Sequence, residues 1–294
     1  MDFTNAQALL SICEKERLSI SRAMIIREVE KSESSLQFVR EKMAKSFAIM
    51  KDSVKDALKK PTKSMGGLIG GEAALLQNRM DSGKSVCGRF MSKAISYAMA
   101  VLETNASMGL IVAAPTAGSS GVIPGVLLSL QEEFALRDDE IIDALFNASA
   151  IGAIIAHNAT VSGAQGGCQA EIGAACAMAA SATVELMGGT PQQCFDAAGT
   201  AISNILGLVC DPIAGLVEVP CQARNAMGAS NALISAEIAL CGIRQIIPFD
   251  EIVLAMYQVG KSLPCELRET ALGGVAATET GCRLMRKIIN SDGV

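Results

Sequence analysis

Two stretches of this chain, residues 104–131 and 144–170, each run for more than 25 residues without an Asp, Glu, Lys or Arg. Windows of that length either cross a bilayer or lie inside a protein. The first holds Pro115, Pro124 and the run Thr116-Ala117-Gly118-Ser119-Ser120-Gly121. The second holds Asn147, His157, Asn158, Gln165, Gln169 and a Gly166-Gly167 pair. In lipid these polar groups and broken backbones would need partners, and no Lys/Arg-rich loops flank them to set an orientation. Both are therefore expected to be buried segments of a soluble protein, with no membrane partner. The interior they belong to is built from small residues: of 294 residues, 44 are Ala and 27 Gly, only 3% are aromatic, and none is Trp. Side chains this small call for closely approaching backbones. A chain that is 50% hydrophobic is too apolar for disorder. At net charge −5 it lacks the basic footprint of a nucleic-acid binder.

Charge is distributed in a step. Residues 1–63 carry 22 of the 55 charges, and their apolar residues recur at three and four. The pattern predicts helices from Asn5 to about Lys15, from Ser19 through Val29, and from about Ser34 to Pro61. This 1–62 segment reads as a charged helical arm, either part of the same domain or a docking segment for a second chain. Beyond it, Gly-rich irregular stretches alternate with Ala-rich helices. These are expected at Phe90–Asn105, Pro124–Phe134, Asp138–His157, Ala170–Met187, Pro191–Leu208, Gln222–Ile243, Phe249–Lys261 and Pro264–Leu272. No sustained β-branched alternation appears. The expected fold is all-α: a single compact helical domain with functional Gly-rich loops between helices, its catalytic part spanning 63–294.

Two loops could bind an anion. Lys63-Ser64-Met65-Gly66-Gly67-Leu68-Ile69-Gly70-Gly71 and Ala114 to Gly121 both set close backbone N–H groups beside hydroxyls. Neither matches a dinucleotide or P-loop fingerprint. Glycines needed only for tight turns are the plain alternative. The sole histidine, His157, lies at a helix end near several polar residues. One histidine precludes a multi-His metal site and leaves sulfur as the available soft ligand. Of ten cysteines, Cys13, Cys87, Cys176, Cys194 and Cys241 are expected to be buried and inert. Cys168 follows Gly166-Gly167, and Cys210 and Cys221 bracket a Pro- and Gly-containing stretch, so irregular backbone surrounds these three. The chain opens with Asp2 and Asn5 where a leader would be basic. A reducing, cytoplasmic setting with free thiols follows.

The strings Lys63–Gly71, Ala114–Pro124, Val161–Gln165, Cys210-Asp211-Pro212-Ile213-Ala214-Gly215-Leu216-Val217 ending in Pro220-Cys221, Ala223-Arg224-Asn225-Ala226 and Leu267–Gly274 together resemble the α chain of bacterial iron–sulfur-dependent L-serine dehydratase (L-serine ammonia-lyase). The resemblance implies a 4Fe-4S cluster on Cys168, Cys210 and Cys221, spaced 42 and 11 residues apart, and no pyridoxal phosphate. It also implies an open iron acting as Lewis acid on the hydroxyl of L-serine, with pyruvate and ammonia as products of amino-acid catabolism that can feed gluconeogenesis. Ser64, Gly66, Gly67, Thr116, Gly118, Ser119, Ser120 and Asn225 would bind substrate. Lys63, His157 or a loop hydroxyl such as Ser64 would take the Cα proton. Arg224 would support the cluster or form a structural ion pair. The two-chain form of the family implies a separate β subunit and a hetero-oligomer. A related cluster lyase acting on L-cysteine or L-threonine, a pyridoxal-phosphate eliminase and a non-catalytic helical interaction protein are the alternatives. Cys282, in a helix-forming stretch near the end, is given no ligand role.

Overall fold

The computed structural model describes residues 1–291. Its central element is a helix buried along almost its whole length, α9 (Cys168–Leu186), in which every residue from Cys168 to Val184 is buried. A helix can be enclosed on all sides only if its own side chains are small. Here Ala170, Gly173, Ala174, Ala175, Cys176, Ala177, Ala179, Ala180 and Ala182 let neighbours close in while keeping high helix propensity. Around it pack α6 (Val122–Glu133), α7 (Asp138–Asn158), α10 (Pro191–Ser203) and α11 (Cys221–Leu240). The same economy of side chain appears where α6 meets α5 (Gly88–Ala106). A Cβ built on Gly121 would stand 2.1 Å from the Ala98 carbonyl oxygen, and one on Gly125 2.8 Å from that of Ala94. The Ala/Gly excess is thus the requirement of an interior made of backbones in near contact.

The N-terminal segment forms α1 (Ala6–Glu16), α2 (Ile20–Ser32) and α3 (Leu36–Lys59), capped by the side chains of Asn5, Ser19 and Ser35. One face of each enters the common core through Leu9, Ile20, Ile25, Phe47 and Val54. α2 lies on α7, and α3 lies on α5 and α7. Polar joints finish the contact: Arg40 pairs with Asp143 and Lys51 with Asp138, while Asp250 accepts the Ala6 N–H at 2.8 Å. A buried network ties α2, α7 and α9. Ser181 donates to Asn147 Oδ1 at 2.6 Å, Asn147 to Glu185 at 2.7 Å, and the Ser21 N–H to the same carboxylate at 3.2 Å.

The remaining helices are α4 (Glu72–Asp81), the one-turn α8 (Gly163–Gly166), α12 (Phe249–Ser262) and α13 (Glu279–Ser291). The all-α, single-domain expectation holds: no strand occurs among the described residues, and the sole bridge is an isolated one pairing Cys210 with Arg268. That bridge overturns one expected helix. Over 264–272 only a short turn at Cys265–Leu267 is helical, because Cys210 pairs with the backbone of Leu267 and Glu269, and Glu269 and Ala271 adopt φ of 65° and 56°. α10 also stops five residues short of Leu208, where the chain turns so that the Gly207 N–H reaches Gln169 Oε1 at 2.9 Å. One described helix, α7, is long and apolar enough to cross a membrane, and 67% of its apolar window is buried inside the protein. Cys87 and Cys241 are exposed rather than buried, since both sit at helix ends. Cys13, Cys176 and Cys194 are buried as expected.

Candidate cluster site

Three chain segments deliver Cys168, Cys210 and Cys221 to one buried place. Cys168 is the first residue of α9 and Cys221 the first of α11. Both thiols therefore sit at helix N-termini, beside backbone N–H groups that have no partner within the helix. Cys210 lies on the extended stretch between α10 and α11, held by its N–H to Leu267 O at 2.9 Å and its carbonyl to the Glu269 N–H at 2.7 Å. Gly167 turns the chain into Cys168 with φ of 75°, a left-handed value that a side chain would strain. Gly163 leaves the space beside the sulfur: a Cβ there would lie 3.0 Å from Cys210 Sγ and 2.5 Å from Glu171 Oε2.

The electrostatics follow from this crowding. Hydrogen bonding with Cys168, followed by burial, drives the Cys210 thiol well above its usual range. Burial, then the charges of Cys168 and Glu171, push Cys221 up to about 12, with Arg224 pulling the other way. Glu171 is raised by burial against a hydrogen bond from Thr116. Arg224 is raised: burial opposes its charge, but Cys168 and Asp211 outweigh it. Buried thiols packed close to one another are a donor set that a cationic centre would deprotonate. No three His, Cys, Asp or Glu groups converge on one point among the described residues, as ligands of a single ion would. Cluster ligands differ in that each cysteine binds its own iron, so the sulfurs surround the group rather than meet at a point. The three thiols with cationic Arg224 beside them fit such a group.

The two Gly-rich loops flank these cysteines. Residues 116–121 form a short turn in which Thr116 and Ser119 cap one another. Thr116 Oγ1 donates to Glu171 Oε1 at 2.7 Å, and Glu171 Oε2 stands 3.8 Å from Cys210 Sγ. Asn225, fully buried on α11, pins the loop by accepting the Gly121 N–H at 3.0 Å and donating to Gly118 O at 2.7 Å. No hydrogen bond among the described residues engages the Ala117 and Gly118 N–H groups. In the 63–71 loop the donors are already engaged. Ser64 Oγ, the Gly66 N–H and the Leu68 N–H all donate to the Glu218 carboxylate, at 2.7, 2.7 and 3.0 Å.

Comparison with known proteins decides the family. The serine dehydratase alpha chain family matches residues 15–276. The chain belongs to that family. It is 48% identical over 286 residues to a probable L-serine dehydratase alpha chain of Bacillus subtilis, covering 97% of this chain and 95% of that one. It is 42% identical over 284 residues to the L-serine dehydratase alpha chain of Peptoniphilus asaccharolyticus, covering 97% of each. L-serine dehydratase TdcG of Escherichia coli is 36% identical over 285 residues, 94% of this chain but 62% of that longer one.

Set on this family frame, the residues singled out from sequence fall into distinct places. Cys168, Cys210 and Cys221 come together with Thr116, Gly118 and Asn225. Ser119 and Ser120 are buried, and Ser120 Oγ bonds Ala117 O within its own turn. Ser64, Gly66 and Gly67 lie in the other loop, where Ser64 is buried against Glu218. Lys63 and His157 are exposed, and no side-chain hydrogen bond or ion pair of either occurs among the described residues. Arg224 does form an ion pair, with Asp211 at 2.7 Å, and also donates to Val209 O. Sequence reasoning passed over Glu171, Asp211 and Glu218. For Glu171 a lone carboxylate in an apolar stretch beside Cys168 was the available signal; Asp211 and Glu218 share one stretch and gain their partners only through the fold.

Proposed function

We propose that this chain is the catalytic α chain of an L-serine dehydratase, a lyase that converts L-serine to pyruvate and ammonia. The observation that carries the reading is the meeting of three family-motif cysteines with a polar loop that still has free N–H donors. Cys168, Cys210 and Cys221 are the residues that would hold a 4Fe-4S cluster. When bound, such a cluster offers an iron without a protein ligand, a Lewis acid for the substrate β-hydroxyl.

The chain's own residues do the rest. The Ala117 and Gly118 N–H groups are the donors we assign to the substrate carboxylate, which orients the Cα–H bond, while the Thr116 hydroxyl holds Glu171 beside them. Asn225 keeps that loop in place through its two bonds. Loss of the Cα proton and of the hydroxyl as water leaves aminoacrylate. Its tautomer is hydrolysed by one water to pyruvate and ammonia, so the water lost is the water regained. Of the candidate bases, Lys63 and His157 are exposed, so either would meet the Cα proton from the solvent side. The Ser64 hydroxyl already donates its proton to Glu218.

A separate β chain is the proposed partner, since the relatives matched over their full length are named alpha chains and the longer relatives extend beyond this one. Residues 1–62 leave a charged face outward, which supports docking there. Free cysteines support a cytoplasmic setting. The test is anaerobic purification, alone and with the β chain, followed by pyruvate and metal assays. About four irons and four sulfides per chain are expected. Full pyruvate formation by iron-free protein would refute the cluster.

A further inference from the structure

The Glu218 carboxylate is 2% exposed, far from water, yet it accepts three hydrogen bonds from a loop about 150 residues earlier. Buried carboxylates persist only when hydrogen-bonded, and this one is held by a hydroxyl and two backbone N–H groups. The donors are in turn well ordered. Ser64 Oγ accepts the Ile69 N–H at 3.2 Å while donating to Glu218. A Cβ on Gly66 would lie 2.5 Å from Leu216 Cδ1 and 3.0 Å from Glu218 Oε1, so a larger residue would have to displace both side-chain ends. At the other end, Glu218 sits three residues before Cys221, and its carbonyl accepts the Gln222 N–H at 3.0 Å. Gln222 then donates to Glu103 at 2.9 Å, which also accepts the Ala73 N–H at 2.8 Å. Cys221 is therefore bracketed by two side chains, each anchored in the 64–73 segment.

We propose that Glu218 is the resident occupant of the 64–68 nest and a positioning residue for Cys221, so that this loop latches the cysteine segment instead of taking the substrate carboxylate. The inference rests on the cluster reading only where it concerns iron; the latch itself is a property of the chain. It leaves the 116–121 loop as the open anion site beside the cysteines, and it gives Ser64, Gly66 and Leu68 a shared task. Glu218 acts through Cys221 and touches no reacting atom.

The experiment compares Glu218→Ala and Glu218→Gln in the full chain. First, the iron-free protein is pulsed with an alkylating agent, and the labelling of each cysteine is followed by mass spectrometry. Loss of three donors' acceptor should raise labelling of Cys221 about tenfold or more while Cys176 and Cys194 stay protected. Glu218→Gln, which keeps one acceptor oxygen, should fall between. Acetate at high concentration should restore protection in Glu218→Ala by entering the vacated nest. Second, in iron-loaded protein the cluster should be lost faster to a chelator, with KM for L-serine and turnover per bound cluster within about twofold of wild type. Wild-type labelling at Cys221 would overturn the latch, as would equal exposure of Cys176 and Cys194 in both variants. A rise in KM, or a fall in turnover per bound cluster, would instead place Glu218 or its nest in the reaction. Failure of the wild-type chain to bind iron would sink the cluster reading alone, leaving the labelling result to decide the latch.

Discussion

The two Gly-rich loops look alike in sequence and differ in what fills them. Both offer N–H groups beside hydroxyls, and both face a buried carboxylate. In the 63–71 loop Glu218 takes two N–H groups and a hydroxyl. In the 116–121 loop Glu171 takes only the Thr116 hydroxyl, and the Ala117 and Gly118 N–H groups stay free. A filled nest fastens two segments together; a partly filled one beside three thiols is able to receive a ligand. Glycine content alone therefore does not mark an anion site. What matters is whether the chain already supplies the anion.

The largest effect that could break this contrast is expected at the cysteines. Cys210→Ser should abolish iron binding and lower pyruvate formation by about three orders of magnitude or more, whereas Cys13→Ala, far from both loops, should leave activity intact. Equal losses in the two variants, read by pyruvate assay and iron analysis, would remove any special role for the site. Next in size is the ion pair of Arg224 with Asp211, whose side chains are 14% and 2% exposed. Arg224→Met leaves a buried carboxylate unpaired and should cost about 3–5 kcal/mol of stability in denaturant unfolding. Asp211 also accepts the Val275 N–H at 2.7 Å, so the segment after Gly273 should become protease-sensitive.

A smaller effect sharpens the comparison of loops directly. Thr116→Val releases Glu171 from the open loop and should raise KM for L-serine about tenfold, since a hydrogen bond to a charged group, here the one that keeps this carboxylate off the free N–H groups, is worth ~1.5 kcal/mol or more. Ser64→Ala, in the filled loop, should change KM little and instead loosen Cys221. The reverse pattern in steady-state kinetics would exchange the roles of the loops. The smallest effect lies away from both. Asp138 is held below the usual carboxylate range by its hydrogen bond from Lys51, then by that from Gln131. A carboxyl lowered in the folded state contributes stability above its unfolded value, and the contribution fades as pH falls through the folded one. Asp138→Asn should thus cost under about 1 kcal/mol at pH 7, as exposed pairs do, and almost nothing near pH 2. A cost that persisted unchanged in acid would show that packing, not charge, is involved.

Much of the helical frame was legible because its signals are local. Asn5 and Ser19 cap helices where the sequence placed their starts, and α10 begins at Pro191 as expected; the uncharged windows became α6 with the turn before it and α7 with the turns after it. The failures were non-local. The Pro264–Leu272 pattern suits a helix, but pairing with Cys210 overrides it. α4 was not anticipated, because Ala73-Ala74-Leu75-Leu76 is a block instead of a periodic face and only Ala73 and Met80 are buried. At the site, the cysteine set was readable only through family resemblance, as spacing by itself selects nothing among ten cysteines. Occupation of the first loop was not legible at all. Glu218 reaches it across about 150 residues, and only the fold brings them together.

The central claim is that Cys168, Cys210 and Cys221 together hold an iron–sulfur cluster beside the open loop. Iron and acid-labile sulfide measured on anaerobically purified chain, wild type against the three single Cys→Ser variants, tests it most directly. About four of each are expected in wild type, with a collapse of both in all three variants. A wild-type chain that forms pyruvate with no iron, or a variant that keeps its full iron and sulfide, would contradict it.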